Sequence, residues 1–292
     1  MRWLGAVLLS KTAAGTQGLW WRRASHDARS LEELVDPEIE GTTTDARAKL
    51  AAIWQKRGGL ELRVAAGFSS LTVELLEHGA APKVYEIVAQ AVRDEVHHAQ
   101  ISIEMAAKYR GDIPVWPDPE PLHVPPFSPT KGAMHATLYI VAMCCINETV
   151  ACGVLEAGLA QAKSPLARAA LATILADEID HARAGWAHLA SAYVTAEMKR
   201  ALPAWLHRLH AVKLRELVED DAPLPGEDFA AHGMLSRRRS REVVHATLVD
   251  VMLPGFRRAG IDPSLVEQWA GTTFGAILGA EVAIPAEGAY GP

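Results

Sequence analysis

Two stretches of the chain pair carboxylates with imidazoles at a spacing suited to metal binding. They are Asp94-Glu95-Val96-His97-His98 and Asp177-Glu178-Ile179-Asp180-His181. In each, a glutamate and a histidine stand three residues apart. On a helix that spacing places both on one face, where they can reach the same ion. Glu-x-x-His alone is cheap, and a chain of this composition yields ~1 by chance. Four occur here. Glu120-Pro121-Leu122-His123 lies among prolines, and Glu242-Val243-Val244-His245 stands alone. Requiring a preceding aspartate lowers the chance expectation to ~0.04, and two copies survive that filter.

These stretches need helices to position them. Alanine is abundant, glycine and proline gather between segments, and no Val/Ile/Thr alternation persists, so the chain reads as all-α. Thr42 to Thr44 can cap a first helix from Thr44 to Gln55, which Gly58-Gly59 breaks. A long helix follows from Leu60 to His78. Gly79-Ala80-Ala81-Pro82 ends it, and Pro82 opens the next, to Tyr109. The proline-rich stretch from Gly111 to Pro129 is a crossover. Met134 to Ala162 and Pro165 to Val194 form a second hairpin, with Ser164-Pro165 as its capping signal. Shorter helices are expected beyond Pro203, at Trp205–Glu219, Arg239–Met252 and Pro263–Ile277. The domain reading is an N-terminal tail over 1–43, partly disordered, a four-helix bundle with one long crossover over 44–196, a C-terminal helical extension over 197–283 and a tail over 284–292.

A two-metal site in such a bundle takes one more glutamate from each of the two remaining helices. Counting from the turns selects them. Glu178 lies fourteen residues beyond Ser164 and Glu148 sixteen before it, so at 1.5 Å per residue their heights agree within ~3 Å. Glu95 lies sixteen residues beyond Gly79. Glu74, five before that turn, misses its height by ~16 Å, whereas Glu61, eighteen before, misses by ~3 Å. The expected ligands are therefore Glu61, Glu95, His98, Glu148, Glu178 and His181. Four carboxylates and two imidazoles suit two divalent first-row ions with open positions, iron or an iron/manganese pair. Zinc structural sites prefer cysteine and four ligands. Asp94 and Asp177 point about 100° away from the ligand face and are expected to accept a hydrogen bond from the outer N–H of a ligand histidine on a neighbouring helix.

With these residues in place, roughly half the chain, Leu60 to Val194, resembles the ferritin-like di-iron carboxylate superfamily. Closer is a resemblance to a group of bacterial ferritin-like proteins of largely undefined activity. It rests on Leu75-Leu76-Glu77-His78-Gly79-Ala80-Ala81-Pro82, Asp94-Glu95-Val96-His97-His98-Ala99, Asn147-Glu148-Thr149 and Asp177-Glu178-Ile179-Asp180-His181-Ala182. In that group Leu235-Ser236 and Leu253-Pro254-Gly255 mark a C-terminal helical extension. The superfamily includes p-aminobenzoate N-oxygenases, which place a further histidine ligand one turn before the second Glu-x-x-His. This chain has Ile174 there and departs from them. The resemblance implies a non-haem di-iron centre that activates O2.

Other residues read more plainly. Cys144, Cys145 and Cys152 crowd around Glu148 and are expected as buried packing thiols beside the centre. His97, His188, Phe68, Trp186, Trp205, His207 and His210 read as core or surface groups. Arg237 to Arg241 is a solvated basic run.

Composition narrows what such a centre can serve. With 29 basic against 35 acidic residues and a net charge of −6, nucleic acid is not the expected partner. Apolar runs fall short of the ~18 residues a membrane span needs. Three clustered cysteines without CxxC spacing speak against a disulfide framework. Trp3 to Leu9, behind Met1-Arg2, resembles an export signal only faintly, and the expected location is the cytoplasm. The chain carries no nicotinamide or flavin fingerprint, so electrons are expected from an external donor. The functional expectation is a di-iron oxidase or oxygenase acting with O2 on a small organic substrate, as a monomer or dimer. The alternative is a ferroxidase or iron-binding protein.

Overall fold

The computed structural model describes residues 35–118, 130–219 and 227–274, and among these there is no strand. A short helix α1 (Pro37–Glu40) precedes α2 (Thr44–His78) and α3 (Pro82–Arg110). After the crossover comes α4 (Gly132–Gln161), then α5 (Pro165–Ala190) and α6 (Ala196–Glu219). A 3-10 turn (Glu227–His232) leads to α7, which runs as Arg237–Thr247, a π-helical turn Leu248–Met252 and Leu253–Arg258. The last helix, α8, is Ser264–Trp269, continued by a π-helical turn Ala270–Phe274. The crossover residues 119–129, including Glu120 and His123, lie outside the described residues. So do residues 1–34, with the export-signal reading, residues 220–226 and everything after 274.

Local chemistry sets the ends of the long helices. The Thr43 hydroxyl accepts from Ala46 N to open α2, and Ser164 accepts from Ala167 N to open α5. Gly79 and Gly111 follow α2 and α3 with φ of 96° and 74°, values that ordinary side chains rarely adopt. Pro82 and Pro165 sit in first turns, where no N–H is needed.

The four long helices pack as a bundle. α2 lies along α3, α4 along α5, α3 against α5, and α2 against the start of α4. Gly58-Gly59, expected to break the first helix, sits inside the continuous α2. A Cβ on Gly58 would stand 2.8 Å from Ile103 Cγ2 on α3, so that glycine permits close helix contact instead of ending the helix. Pro203 likewise lies within α6. Burial of Leu202, Leu206 and Leu209 along one face carries the helix through the proline, because packing outweighs propensity there.

Residues 36–43, read as tail, are docked. Asp36 is fully buried, and its Oδ2 accepts from Ser164 Oγ at 2.6 Å and from Leu166 N at 3.0 Å. This clasp ties the chain before α2 to the turn between α4 and α5. The helix α4 matches the expected Met134–Ala162 within two residues at its start and one at its end, but, against the reading of the apolar runs, it is long and apolar enough by length and composition to cross a membrane. Within the bundle, however, 78% of its most apolar window is buried. A core helix flanked by other helices has that character. Its middle, Val141–Glu148, is wound as a π-helix. Among the C-terminal elements, α7 packs on α4, and α6 packs on the π-helical segment of α4 and on α8.

Candidate metal centre

Glu61 comes from α2, Glu95 and His98 from α3, Glu148 from α4, and Glu178 and His181 from α5. The bundle brings them together in its interior. Glu95 and His98 are fully buried, His181, Glu148 and Glu178 nearly so, and Glu61 only 9% exposed. Glu61, Glu95, His98 and Glu178 each offer a ligand atom, and those atoms all lie within 4.8 Å of one another. His181 closes the other side, with Nδ1 3.0 Å from both Glu95 Oε1 and Glu178 Oε2. His98 Nδ1 lies 3.3 Å from Glu95 Oε2 and 3.5 Å from Glu178 Oε1. Each histidine thus faces its own helix's glutamate and the other helix's glutamate.

The outer nitrogens are held crosswise. His98 Nε2 is 3.3 Å from Asp177 Oδ2 on α5, and His181 Nε2 is 3.5 Å from Asp94 Oδ2 on α3. An aspartate accepting from Nε2–H leaves Nδ1 as the free donor atom toward the carboxylates. Asp94 also accepts from Gln90 Nε2 at 2.7 Å. Burial would raise its pKa, but the bonds from His181 and Gln90 outweigh this and hold it below the ordinary aspartate value.

Four carboxylates at this density cannot all be ionised cheaply. Burial, then the charge of Glu95, pushes Glu61 up to about 8, with Arg57 pulling the other way. Burial and the charges of Glu178 and Glu95 raise Glu148 well above the ordinary range. Glu178 goes the opposite way, because hydrogen bonds from His181 and His98 overcome its burial. Burial lowers His98 and His181, but their bonds to aspartate and glutamate win and raise both rings. The protein is therefore partly neutralised by protons and by its own imidazoles.

Among the described residues, two buried carboxyl oxygens stay without a hydrogen bond, Glu148 Oε1 and Glu95 Oε1. The latter is within 3.0 Å of His181 Nδ1, but the alignment is too poor to bond. Buried carboxyl oxygens left without a partner cost free energy unless a cation completes them. The donor set, carboxylate-rich with two imidazoles and no thiolate, suits divalent first-row ions. On both counts the residues fit such ions.

Glu74 stands apart from the cluster, bonded to His135 Nδ1 at 3.1 Å. Phe68 packs against His181 with ring centroids 5.2 Å apart, and Ile174 is fully buried. The three cysteines are free and buried. Burial and then the charge of Glu148 push Cys144 well up, so it is a protonated thiol beside the carboxylates. His188 bonds Thr137 Oγ1 at 3.1 Å, and burial lowers its pKa to about 4, so it packs as a neutral ring. Glu242 pairs with Arg238 and Arg239 on the surface, which leaves its Glu-x-x-His without a metal role.

Two contacts escape the motif analysis. Arg57 Nε lies 3.3 Å from Glu61 Oε1, and its guanidinium stands over Trp54, 5.5 Å from the ring centroid. The signal for it was the i,i+4 spacing of Arg57 and Glu61. Trp186 Nε1 donates to Thr149 Oγ1, next to Glu148, at 3.3 Å. No short-range pattern announces that contact.

No family model, curated protein or solved structure matches the chain.

Proposed function

We propose that the chain is a ferritin-like di-iron protein: a non-haem oxidase or oxygenase that uses O2 and an external electron donor on a small organic substrate. The observation that carries the reading is a buried cluster from four helices in which Glu61, Glu95, His98 and Glu178 offer ligand atoms within 4.8 Å of one another, His181 closes on Glu95 and Glu178, and Glu148 lies close enough to Glu178 and Glu95 to feel their charge. These six residues would hold two irons, which when bound would supply the redox chemistry between the external donor and O2.

The chain's own residues prepare the site for this. Asp177 and Asp94 fix the imidazoles through Nε2, so that Nδ1 of each ring faces the carboxylates and offers its lone pair once its proton has left. Glu95 and Glu178 each stand within 3.5 Å of Nδ1 of both rings. Glu61 and Glu148, whose pKa values are raised, give up their protons as the ions arrive, so metal uptake releases protons. Phe68 and the protonated Cys144 keep water from part of the wall. Arg57 holds the least buried ligand, Glu61, at the edge of the cluster.

A ferroxidase would use the same six ligands with Fe(II) itself as substrate. The C-terminal helices, packed on the second hairpin, favour the oxidase because a storage subunit has no use for them. Cytoplasmic location and a monomeric or dimeric state complete the proposal. The test is elemental analysis of full-length protein after anaerobic Fe(II) loading and desalting, followed by exposure to O2. Close to two irons per chain and oxidation limited to them in a small particle is the expected result. One iron or fewer in folded protein overturns the centre. Repeated Fe(II) turnover with mineral in a large assembly overturns the oxidase in favour of the ferroxidase.

A further inference from the structure

One buried phenol in this fold has a base waiting for its proton. Tyr109, near the end of α3, is fully buried, and its hydroxyl stands 3.0 Å from His232 Nδ1 in the 3-10 turn. The next partners fix the direction of that bond. Thr42 Oγ1 gives its single proton to Glu38 O at 2.6 Å, so toward His232 Nε2, 3.0 Å away, it can only accept. His232 therefore carries its hydrogen on Nε2. Burial lowers the pKa of the ring, against the pull of Asp36 and Glu38, and keeps it neutral at pH 7. Its Nδ1 is then a bare lone pair, and Tyr109 donates to it. Tyr85 and Tyr139 instead donate to backbone carbonyls, Leu75 O and Gly67 O, which take no proton away.

A phenol so placed resists ionisation but not oxidation. Burial and then the charge of Asp36 push its pKa far above the ordinary value, so it does not lose a proton alone. Loss of an electron makes the phenol a strong acid, and a base already bonded to its oxygen takes the proton in the same step. Tyr109 is eleven residues past His98 on α3, and Trp54 seven before Glu61 on α2. Both intervals are close to whole turns, so the two rings share the faces of those ligands, ~16 Å and ~10 Å along their helices. Trp54 is fully buried, and its N–H is near enough to the phenol to temper the rise in pKa, though not aligned to bond it. The Arg57 guanidinium lies over the indole, 5.5 Å from its centroid, and Arg57 Nε is 3.3 Å from Glu61 Oε1. Electron transfer slows exponentially with distance, so an indole between phenol and cluster divides one long step into two shorter ones. The cation makes Trp54 the harder ring to oxidise, and a missing electron comes to rest on Tyr109.

We propose that Tyr109 and His232 are a proton-coupled redox pair, joined to the buried cluster through Trp54 and Arg57, by which single electrons from the external donor enter. The inference rests on the di-iron reading for its oxidant, the iron pair after it has met O2. The Tyr109 O–H bond breaks, the electron passes by way of Trp54 to that oxidant, and the proton goes to His232 Nδ1. This leaves a neutral phenoxyl and an imidazolium. The donor returns one electron to the phenoxyl, and His232 returns the proton. Thr42, half-buried, puts the pair near the surface, where a donor can reach it.

Two measurements on the full-length protein test this, both by freeze-quench electron paramagnetic resonance. In the first, chelator-treated protein is oxidised by flash-generated tris(bipyridine)ruthenium(III). A tyrosyl signal that outlasts any tryptophanyl signal is expected in wild type. It should be absent from Tyr109→Phe and roughly tenfold weaker in His232→Gln, which keeps a hydrogen-bond acceptor but loses the base. In the second, Fe(II)-loaded protein of measured iron content meets O2 without donor. The same signal is expected, forming roughly tenfold more slowly in Trp54→Phe at equal iron content. If Tyr109→Phe does not fold, His232→Gln decides. No lasting wild-type signal under ruthenium, a signal that survives Tyr109→Phe, or equal signals in wild type and His232→Gln overturns the pair. With two irons bound, no signal on exposure to O2, or an unchanged rate in Trp54→Phe, overturns its link to the cluster. Iron content below two strikes the di-iron reading instead, and the ruthenium oxidation still judges the pair, so the two fail separately.

Discussion

The buried carboxylates make an unusual demand on the metal-free protein, and Glu61→Gln exposes it. Glu61 is raised from 4.5 to about 8 by burial and by the charge of Glu95. A carboxyl whose folded pKa lies above its unfolded value binds its proton more tightly when folded. Its contribution to stability therefore falls as pH rises from 4.5 toward 8. At pH 7 the gap is 2.5 units above the unfolded value, and at 1.36 kcal/mol per unit the cost is about 3 kcal/mol. A glutamine of the same shape carries no such cost. In chelator, at pH 7, Glu61→Gln should thus be more stable than wild type by up to about 3 kcal/mol, less whatever the Arg57 ion pair contributed. At pH 5, where wild-type Glu61 is cheaply protonated, the gain should shrink below about 1 kcal/mol. With Fe(II) the order should reverse, because wild type gains binding energy that the variant lacks. Urea unfolding followed by circular dichroism, at both pH values, with and without Fe(II), measures all of this. A metal-free variant no more stable than wild type at pH 7, or a gain that persists undiminished at pH 5, would refute the electrostatic account of the cluster.

Two further outcomes follow from the geometry. Asp177→Asn or Asp94→Asn should weaken metal binding by about 10–100-fold while leaving the helical spectrum intact, because each releases a histidine ring from its crosswise partner; unchanged affinity in chelator competition would show that the rings are held by packing alone. Gly185→Ala would place a Cβ 2.8 Å from Cys144 Cβ and 2.9 Å from the Cys145 backbone nitrogen, forcing α5 away from α4. The expected cost is about 1–3 kcal/mol in urea unfolding, with reduced metal retention; a variant as stable as wild type would mean the helices are less closely packed than those distances require.

How far the sequence could be read depended on the range of each interaction. Glu61 could be chosen over Glu74 because a hairpin of known turn position converts residue counts into height, and helix rise is constant. Asp94 and Asp177 could be picked out because their place beside the Glu-x-x-His pairs repeats. What resisted reading was set by partners far off in the chain. Gly58 resembles a break until Ile103 on α3 is seen against it. Asp36 resembles tail until Ser164 and Leu166 claim its carboxylate across the fold. Pro203 resembles a stop until the buried leucines around it are counted. Glu74 was set aside as a ligand of the buried centre, and its pairing with His135, sixty-one positions later, had no local mark.

The π-helical turn joins these parts of the argument. Val141–Glu148 ends at Glu148, and inserting π-winding there rotates the glutamate relative to the helix that precedes it. The surroundings of that turn come from two directions. Gly185 on α5 allows Cys144 and Cys145 to press close on one side. The residue after Glu148, Thr149, accepts from Trp186, whose ring packs on Phe256 of α7 at 5.0 Å, and Phe256 meets His210 of α6 at 5.7 Å. The C-terminal helices thus bear on the residue beside a carboxylate whose oxygen has no protein partner. The contacts from Thr149 through Trp186 and Phe256 to His210 are therefore the route by which the outer helices help place one member of the cluster.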